Sequence, residues 1–171
     1  MTPSFPNSFH LILIKPSHYD DDGYVIQWVR SSVPSNSMAA IYGLALDCVE
    51  RKVLGPDVAV QITAIDESND RVKPKALCRM LQGARGLIAF VGVQSNQFPR
   101  AMDLARRFRQ KGLPVCIGGF HVSGCVAMLP SIPPDLQEAM EEGISLSPVS
   151  SRLASYFHFC GTRIRMVRPQ C

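Results

Sequence analysis

Several motifs that identify common metal-binding and catalytic proteins are absent from this sequence of 171 residues. The six cysteines are scattered and form no CxxC pair, and the four histidines are too dispersed for a zinc site. No serine lies in a GxSxG elbow, and neither a P-loop nor a GxGxxG fingerprint is present. These absences argue against zinc modules, dinucleotide fingerprints and nucleotide-phosphate loops, and we predict no metal site.

Long hydrophobic runs and strong charge are also absent. The apolar run from Leu11 to Ile14 is too short for a signal-peptide core or a membrane span, and no secretory signal precedes it. Charged residues make up 19% of the chain and the net charge is +4, without the clustered basic residues of a nucleic-acid binder. We therefore expect neither nucleic acid nor membrane as a partner, and a reducing cytoplasmic location with free thiols.

Short apolar runs alternate with amphipathic segments along the chain. The runs at 9–14, 58–64, 86–93, 113–117 and 144–146 predict five strands. Helices are predicted from the caps at 35–37 to Gly55, from Pro74 onward, around 101–108 and over 134–142. This alternation predicts an α/β domain with a doubly wound parallel five-stranded sheet over residues 1–146. Residues 147–171 show no clear period, so we expect an irregular tail and an incomplete last strand and helix.

Four polar or glycine-rich loops are predicted to follow the carboxyl ends of the strands, where open parallel sheets bind ligands. They span 16–24, 66–69, 92–97 and 118–124. In the last loop, Gly118 and Gly119 permit close backbone approach to a bulky ligand, and His121 and Ser123 offer hydrogen bonds. A tight strand-to-helix turn with a surface histidine explains the same residues equally well.

Two other loops allow two interpretations each. Ser95 or Asn96 is placed to cap the next helix, to contact a ligand, or to do both. The acidic run Asp20–Asp22 has the oxygen ligands of a weak Mg²⁺ site, but a solvated acidic loop is the favoured interpretation. His18 and Tyr19 are placed either over a planar ligand or against their own loop.

The order and spacing of these loop sequences resemble a known family. The matching segments are KPSHYDDDGY at 15–24, PSNS at 34–37, YGLA at 42–45, DESN at 66–69, VGVQSN at 91–96 and GGFH at 118–121. Together they resemble the cobalamin-binding domain that begins many radical S-adenosylmethionine (SAM) proteins. The resemblance covers roughly residues 9–146.

That resemblance implies a flavodoxin-like fold with cobalamin lying across the carboxyl ends of the strands. The loop after the first strand would face the corrin, and the 118–124 loop would border the nucleotide tail. No catalytic residue is implied within this chain. The implied cofactor-binding residues are Pro16, His18, Tyr19, Gly23, Asp66, Glu67, Gly92, Val93, Gln94, Ser95, Asn96, Gly118, Gly119, His121 and Ser123.

The chain departs from the family pattern in three ways. It lacks the CxxxCxxC motif whose thiolates hold a [4Fe–4S] cluster, so cluster and SAM would belong to a radical SAM barrel in a longer parent protein. It lacks DxHxxG, so a histidine cobalt ligand from the first loop is not expected. The acidic Gly-Glu turn that usually follows the fifth strand is missing after Leu146, which leads us to expect a truncated or frame-shifted gene product.

Two alternative functions remain open at this point. A receiver-like signalling domain shares the strand order, and Asp20–Asp22 loosely supplies its acidic pair. However, Gly92-Val93-Gln94 lacks the phosphorylatable aspartate that a receiver carries after its third strand. The second alternative is a fragment without independent function, with an exposed sheet edge. The substrate of a parent enzyme is not encoded in this chain, so its status as an enzyme stays undecided.

Overall fold

A computed structural model describes residues 7–28, 35–81 and 85–148. The elements, in chain order, are β1 (Ser8–Lys15), α1 (Asn36–Glu50), β2 (Ala59–Asp66), α2 (Pro74–Met80), β3 (Arg85–Phe90), α3 (Phe98–Arg109), β4 (Val115–Gly118), α4 (Phe120–Met128), α5 (Pro134–Glu141) and β5 (Ser145–Ser147). All four strand pairings are parallel, and the sheet order is β2-β1-β3-β4-β5. The predicted α/β fold, a flavodoxin-like doubly wound five-stranded sheet, is confirmed.

The core lies on both faces of the two central strands. Alternate residues of β1 and β3, such as Ile12 and Ile88, pack on one face with side chains of α2, α3, α4 and α5. Their neighbours, such as Leu13 and Ala89, pack on the opposite face with α1. Burial on both sides explains why these strands read as continuous apolar runs rather than as alternating patterns.

Helix α1 begins where the sequence predicts and ends earlier. The Ser35 hydroxyl accepts a hydrogen bond from the backbone N–H of Met38 at 3.3 Å, so Ser35 is the N-cap. The helix ends at Glu50, and a series of turns then reaches Gly55, which has a φ of +115°. The glycine therefore ends the connection after the helix and not the helix itself.

Helix α4 begins inside the segment predicted as a loop, so the loop over 118–124 is wrong in its extent, and the alternative interpretation, a tight strand-to-helix turn, is the one that the structure has. The chain passes from β4 into this helix through Gly119, whose φ of +152° is favoured by glycine. The N–H of Ser123 donates to the carbonyl of Gly119 at 3.0 Å, which begins the helical hydrogen bonds. The helix keeps Gly124 in its interior, and only Val122 is fully buried, so its apolar periodicity is weak.

The last strand of the sheet, β5, is short. Strand β5 has 3 residues and extends one residue beyond the predicted domain limit at 146. Almost all of the predicted irregular tail, residues 149–171, lies outside the described residues. Cys48, Cys78 and Cys125 are free thiols. Within the three described ranges, no helix is long and apolar enough to cross a membrane.

Candidate functional site

The candidate site is the edge of the sheet at which all five parallel strands end. In the order β2-β1-β3, the chain leaves β1 toward α1 on one face of the sheet and leaves the neighbouring β3 toward α3 on the other face, which creates a topological switch point between β1 and β3. The loops after β1, β2 and β3 and the β4–α4 junction meet at this edge. The predicted site residues Pro16, Glu67, Val93 and Gly119 are buried beneath it, whereas Gly23, Gln94, Ser95 and Asn96 are exposed on it.

The loop after β1 is ordered by its own aspartate. Tyr19 and Val25 form an antiparallel bridge, and Gly23 has a φ of +83° at the turn between them. Oδ1 of Asp20 accepts backbone N–H bonds from Asp22 at 3.1 Å and Tyr24 at 2.7 Å. The acidic run therefore shapes a turn, and no group of metal-ligating side chains occurs among the described residues.

A buried ion pair connects the loop after β2 to the first turn of α3. The guanidinium of Arg100 donates to Glu67 through Nε, at 3.2 and 3.1 Å, and through Nη2 at 2.6 Å. The Glu67 carboxylate also accepts the backbone N–H of Ser17 at 3.1 Å. The Glu67 side chain is 1% exposed, and its hydrogen bonds compensate for the loss of water around the carboxylate.

The same arginine holds the loop after β1. Its Nη1 donates to the hydroxyl of Tyr19 at 3.3 Å, and that hydroxyl donates to Asp103 of α3 at 2.5 Å. Burial, followed by the hydrogen bond to Asp103, raises the pKa of Tyr19 above its usual value. A second ion pair, between Lys15 and Asp66 at 3.0 Å, joins the ends of β1 and β2. The candidate residues Tyr19, Asp66 and Glu67 thus fix the positions of two loops.

The glycine after β4 allows two loops to touch. A Cβ atom on Gly119 would lie 2.1 Å from the backbone nitrogen of Val93. The backbones are joined by bonds from the N–H of Val93 to the carbonyl of Gly118, at 3.1 Å, and from the N–H of His121 to the carbonyl of Val93, at 3.0 Å. The close approach that Gly119 permits is therefore to the β3 loop.

Gly92 has an equivalent role toward the start of α1. It has a φ of +66°, and a Cβ atom there would lie 2.8 Å from the Cβ of Ser37. The first turn of α1 thus lies over the β3 loop at the switch point. Gly92 and Gly119, two of the four glycines predicted as cofactor contacts, therefore allow neighbouring loops and the start of α1 to pack closely at this edge.

His121 connects three elements through its ring nitrogens. Its Nδ1 lies 3.1 Å from the Ser95 hydroxyl, and its Nε2 lies 2.8 Å from Oδ2 of Asp135. The ring also packs on Phe98, with ring centroids 4.4 Å apart. The expectation that Ser95 or Asn96 caps α3 is wrong, because the N-cap is Gln97 and no side chain caps this helix.

Exposed aromatic side chains lie along the carboxyl edge of the sheet. Tyr24 is 73% exposed, Trp28 is 62% exposed and Phe120 is 68% exposed. The N–H of Trp28 donates to the carbonyl of Ser68 at 2.8 Å, which fixes this residue beside the end of β2. Phe120 is the first residue of α4, and only Gly119 separates it from the end of β4. Large apolar side chains this exposed are typical of binding surfaces when they cluster.

Several of these residues were missed from the sequence. The sequence does contain a signal for Arg100. A cation in the first turn of a helix opposes the helix dipole, and this indicates a nearby acid. Asp135 lies near the start of the helix predicted over 134–142, where the helix dipole alone explains an acidic side chain. The exposed Tyr24, Trp28 and Phe120 carry no sequence signal that separates them from core aromatics.

The remaining candidates have less defined surroundings. His18 is half-buried, and its carbonyl accepts the N–H of Ile26 at 2.9 Å. Ser123 lies one turn into α4. Comparison of the chain with models of known protein families, with curated proteins and with solved structures finds no match.

Proposed function

We propose that this chain is a cobalamin-binding module that takes the corrin ring across the carboxyl ends of its parallel strands. The observation that carries the proposal is the combination, along the carboxyl edge of the sheet, of exposed aromatic rings with exposed amide side chains. The aromatic residues are Tyr24, Trp28 and Phe120, and the amides are Gln94 and Asn96. The sequence resemblance to cobalamin-binding radical SAM proteins supports the same ligand.

The chemistry of these groups fits a corrinoid. The flat, largely apolar macrocycle gains free energy by covering exposed aromatic surface. Its amide side arms match the hydrogen-bonding groups of Gln94, Ser95 and Asn96, which lie together on the β3 loop. Ligand sites of this kind combine apolar surface with a few placed polar groups. The buried Glu67–Arg100 pair would keep the β1 and β2 loops in place before the ligand arrives.

The chain's own residues set limits on how cobalt would be held. Both ring nitrogens of His121 are engaged, by Ser95 and by Asp135. The loop after β1 carries Asp20 to Gly23 and lacks the histidine of the DxHxxG pattern. We therefore propose that the chain binds the face and the amide side arms of the corrin ring, and that this loop supplies no histidine ligand to cobalt. The [4Fe–4S] cluster and SAM would belong to a radical SAM barrel in a longer parent, and we propose that barrel as a partner.

The proposal is tested by mixing the purified, folded chain with cobalamin, desalting the sample and recording the corrin absorption spectrum. We expect about one corrinoid to be retained per chain. Phe120→Ala should weaken retention, because it removes apolar surface directly after β4. Met128→Ala is the matched control, since Met128 is 79% exposed at the other end of the same helix. A folded wild-type chain that retains no corrin would refute the proposal.

Two further points follow from the described contacts. The loop after β3 has Gly92-Val93-Gln94 in place of a phosphorylatable aspartate, and Asp103, the acid of α3, is bonded to Tyr19, so the described contacts add no support for a receiver-like signalling domain. We propose a cytoplasmic location, because Cys48, Cys78 and Cys125 are free thiols, which persist in reducing compartments.

A further inference from the structure

Ser95, His121 and Asp135 form a continuous hydrogen-bonded relay. They come from three parts of the chain, since 26 residues separate Ser95 from His121 and 14 separate His121 from Asp135. Ser95 lies in the turn between β3 and α3, His121 in the first turn of α4 and Asp135 in the first turn of α5. The carboxyl end of the sheet therefore brings together a serine, a histidine and a carboxylate that are distant in the sequence and form no local motif.

The chemistry of the three groups determines which atom donates each of the two hydrogen bonds. An ionised carboxylate only accepts hydrogen bonds, so Asp135 requires a proton on Nε2 of His121. In the neutral ring the other nitrogen then carries a lone pair, and the Ser95 hydroxyl donates to Nδ1. This is the arrangement in which a histidine acts as a base toward a serine and a carboxylate orients the histidine.

Neighbouring groups position His121 and Asp135, whereas Ser95 is open to solvent. Phe98, a buried residue of α3, packs against the imidazole, and the backbone N–H of His121 is bonded to Val93. Oδ1 of Asp135 accepts the backbone N–H of Leu136 at 2.8 Å, which orients the carboxylate. The side chain of His121 is mostly buried, whereas Ser95 is exposed to solvent and open to a substrate.

The backbone beside Ser95 supplies hydrogen-bond donors. Within the described part of the chain, the N–H groups of Ser95 and Asn96 donate no hydrogen bond. They lie in a strand-to-helix turn, just before the N-terminal end of α3. In serine hydrolases with a strand–turn–helix nucleophile, the N–H after the serine helps to stabilise the oxyanion.

From these observations we infer that Ser95 is a nucleophile that cleaves carboxylic esters, with His121 as its base and Asp135 as the residue that orients His121. Oγ of Ser95 attacks the carbonyl carbon while its proton passes to Nδ1 of His121. The bond to the alcohol oxygen breaks, and the same proton passes to the leaving alcohol. Water then attacks the acyl–Ser95 ester through the same base, releasing the acid and restoring the hydroxyl. The reaction requires no corrinoid, so it goes beyond the proposed cobalamin binding.

The test uses the full chain without corrinoid and a fluorophosphonate probe. The Oγ–P bond forms as the P–F bond breaks, fluoride leaves and the proton passes to His121, which gives a stable adduct that peptide mass spectrometry locates. We expect an adduct on Ser95, lost in Ser95→Ala and slowed by about 100-fold or more in His121→Gln. Asp135→Asn should slow labelling less, because the exposed carboxylate only orients the ring.

Controls keep the outcome independent of folding and of corrin binding. Ser131→Ala removes another exposed serine and should leave the labelling rate unchanged. Circular dichroism of each variant checks that it is folded. Labelling of Ser95 at wild-type rates in His121→Gln, or no adduct on Ser95 in the folded wild-type chain, would overturn the inference. Neither result depends on cobalamin, so failure here leaves the proposed function to its own test.

Discussion

The guanidinium of Arg100 and the carboxylate of Glu67 form a two-pronged ion pair beneath the carboxyl edge of the sheet, with Nη2 2.6 Å from Oε1. Their side chains are 13% and 1% exposed. Because Glu67 also holds Ser17 and Arg100 also holds Tyr19, this pair fixes the loops after β1 and β2 against α3. The relative positions of the candidate ligand-binding loops therefore depend on it.

Loss of the arginine should strongly destabilise the fold. Arg100→Met would leave the Glu67 carboxylate buried without its counter-ion, and we expect the free energy of unfolding to fall by about 3–5 kcal/mol. Arg51→Met is the control, because Arg51 forms an exposed ion pair with Asp47 at 3.2 Å, worth about 1 kcal/mol or less. Urea unfolding measures both variants. Equal losses in the two would show that the Glu67 pair has no special role.

A methyl group at Gly119 should separate the β3 and β4 loops. In Gly119→Ala the added Cβ would lie 2.1 Å from a backbone nitrogen, which cannot give way as a flexible side chain does. We expect a loss of about 3 kcal/mol, or failure to fold, from this overpacking. Gly124→Ala is the control, since its Cβ would meet only a ring carbon of Phe120 at 3.8 Å within a helix. Thermal melts should show Gly124→Ala unchanged or stabilised by up to about 1 kcal/mol. A Gly119→Ala protein as stable as wild type would contradict the described packing.

His10 should make the fold sensitive to mild acid. It is buried on β1, where its Nε2 lies 2.9 Å from the Thr63 hydroxyl, and burial lowers its pKa below the usual 6.5. The unfolded chain therefore binds a proton before the folded chain does as the pH falls. The stability that the neutral ring provides is complete above about pH 6.5 and is lost as the pH falls toward the lowered value, by at most about 1.4 kcal/mol per pH unit.

Urea midpoints of the wild-type chain and His10→Gln between pH 7.5 and pH 5 measure this effect. The wild-type curve should fall more steeply than the variant curve, and the difference isolates His10 from the other histidines. Parallel curves would mean that His10 has the same proton affinity in both states.

The fold could be predicted where local sequence and burial agree. The continuous apolar runs around Leu11 and Ile88 indicate central strands because both faces of these strands are covered. Helix α4 escaped prediction because His121, Ser123 and Gly124 break its apolar period, and because the helix is started by backbone contacts to Val93 that no local pattern encodes.

The candidate site was predictable only as a set of loops. The rule that ligands bind beyond the carboxyl ends of parallel strands identified the edge. The pairing of Glu67 with Arg100 spans 33 residues, and it depends on the distance between two loops that only the folded sheet defines. For the same reason, the sequence offered Asp135 as a helix-start charge and gave no indication of its bond to His121.

Trp28 offers the most direct measurement of the proposed function, because it is the single tryptophan of the chain and lies exposed beside the end of β2. Corrinoids absorb where tryptophan emits, so a bound corrin ring should quench Trp28 by energy transfer. Titration of the folded chain with cobalamin is compared with a free tryptophan analogue at equal absorbance. We predict saturable quenching that ends at about one corrinoid per chain. Quenching no greater than that of the free analogue would contradict cobalamin binding at this edge.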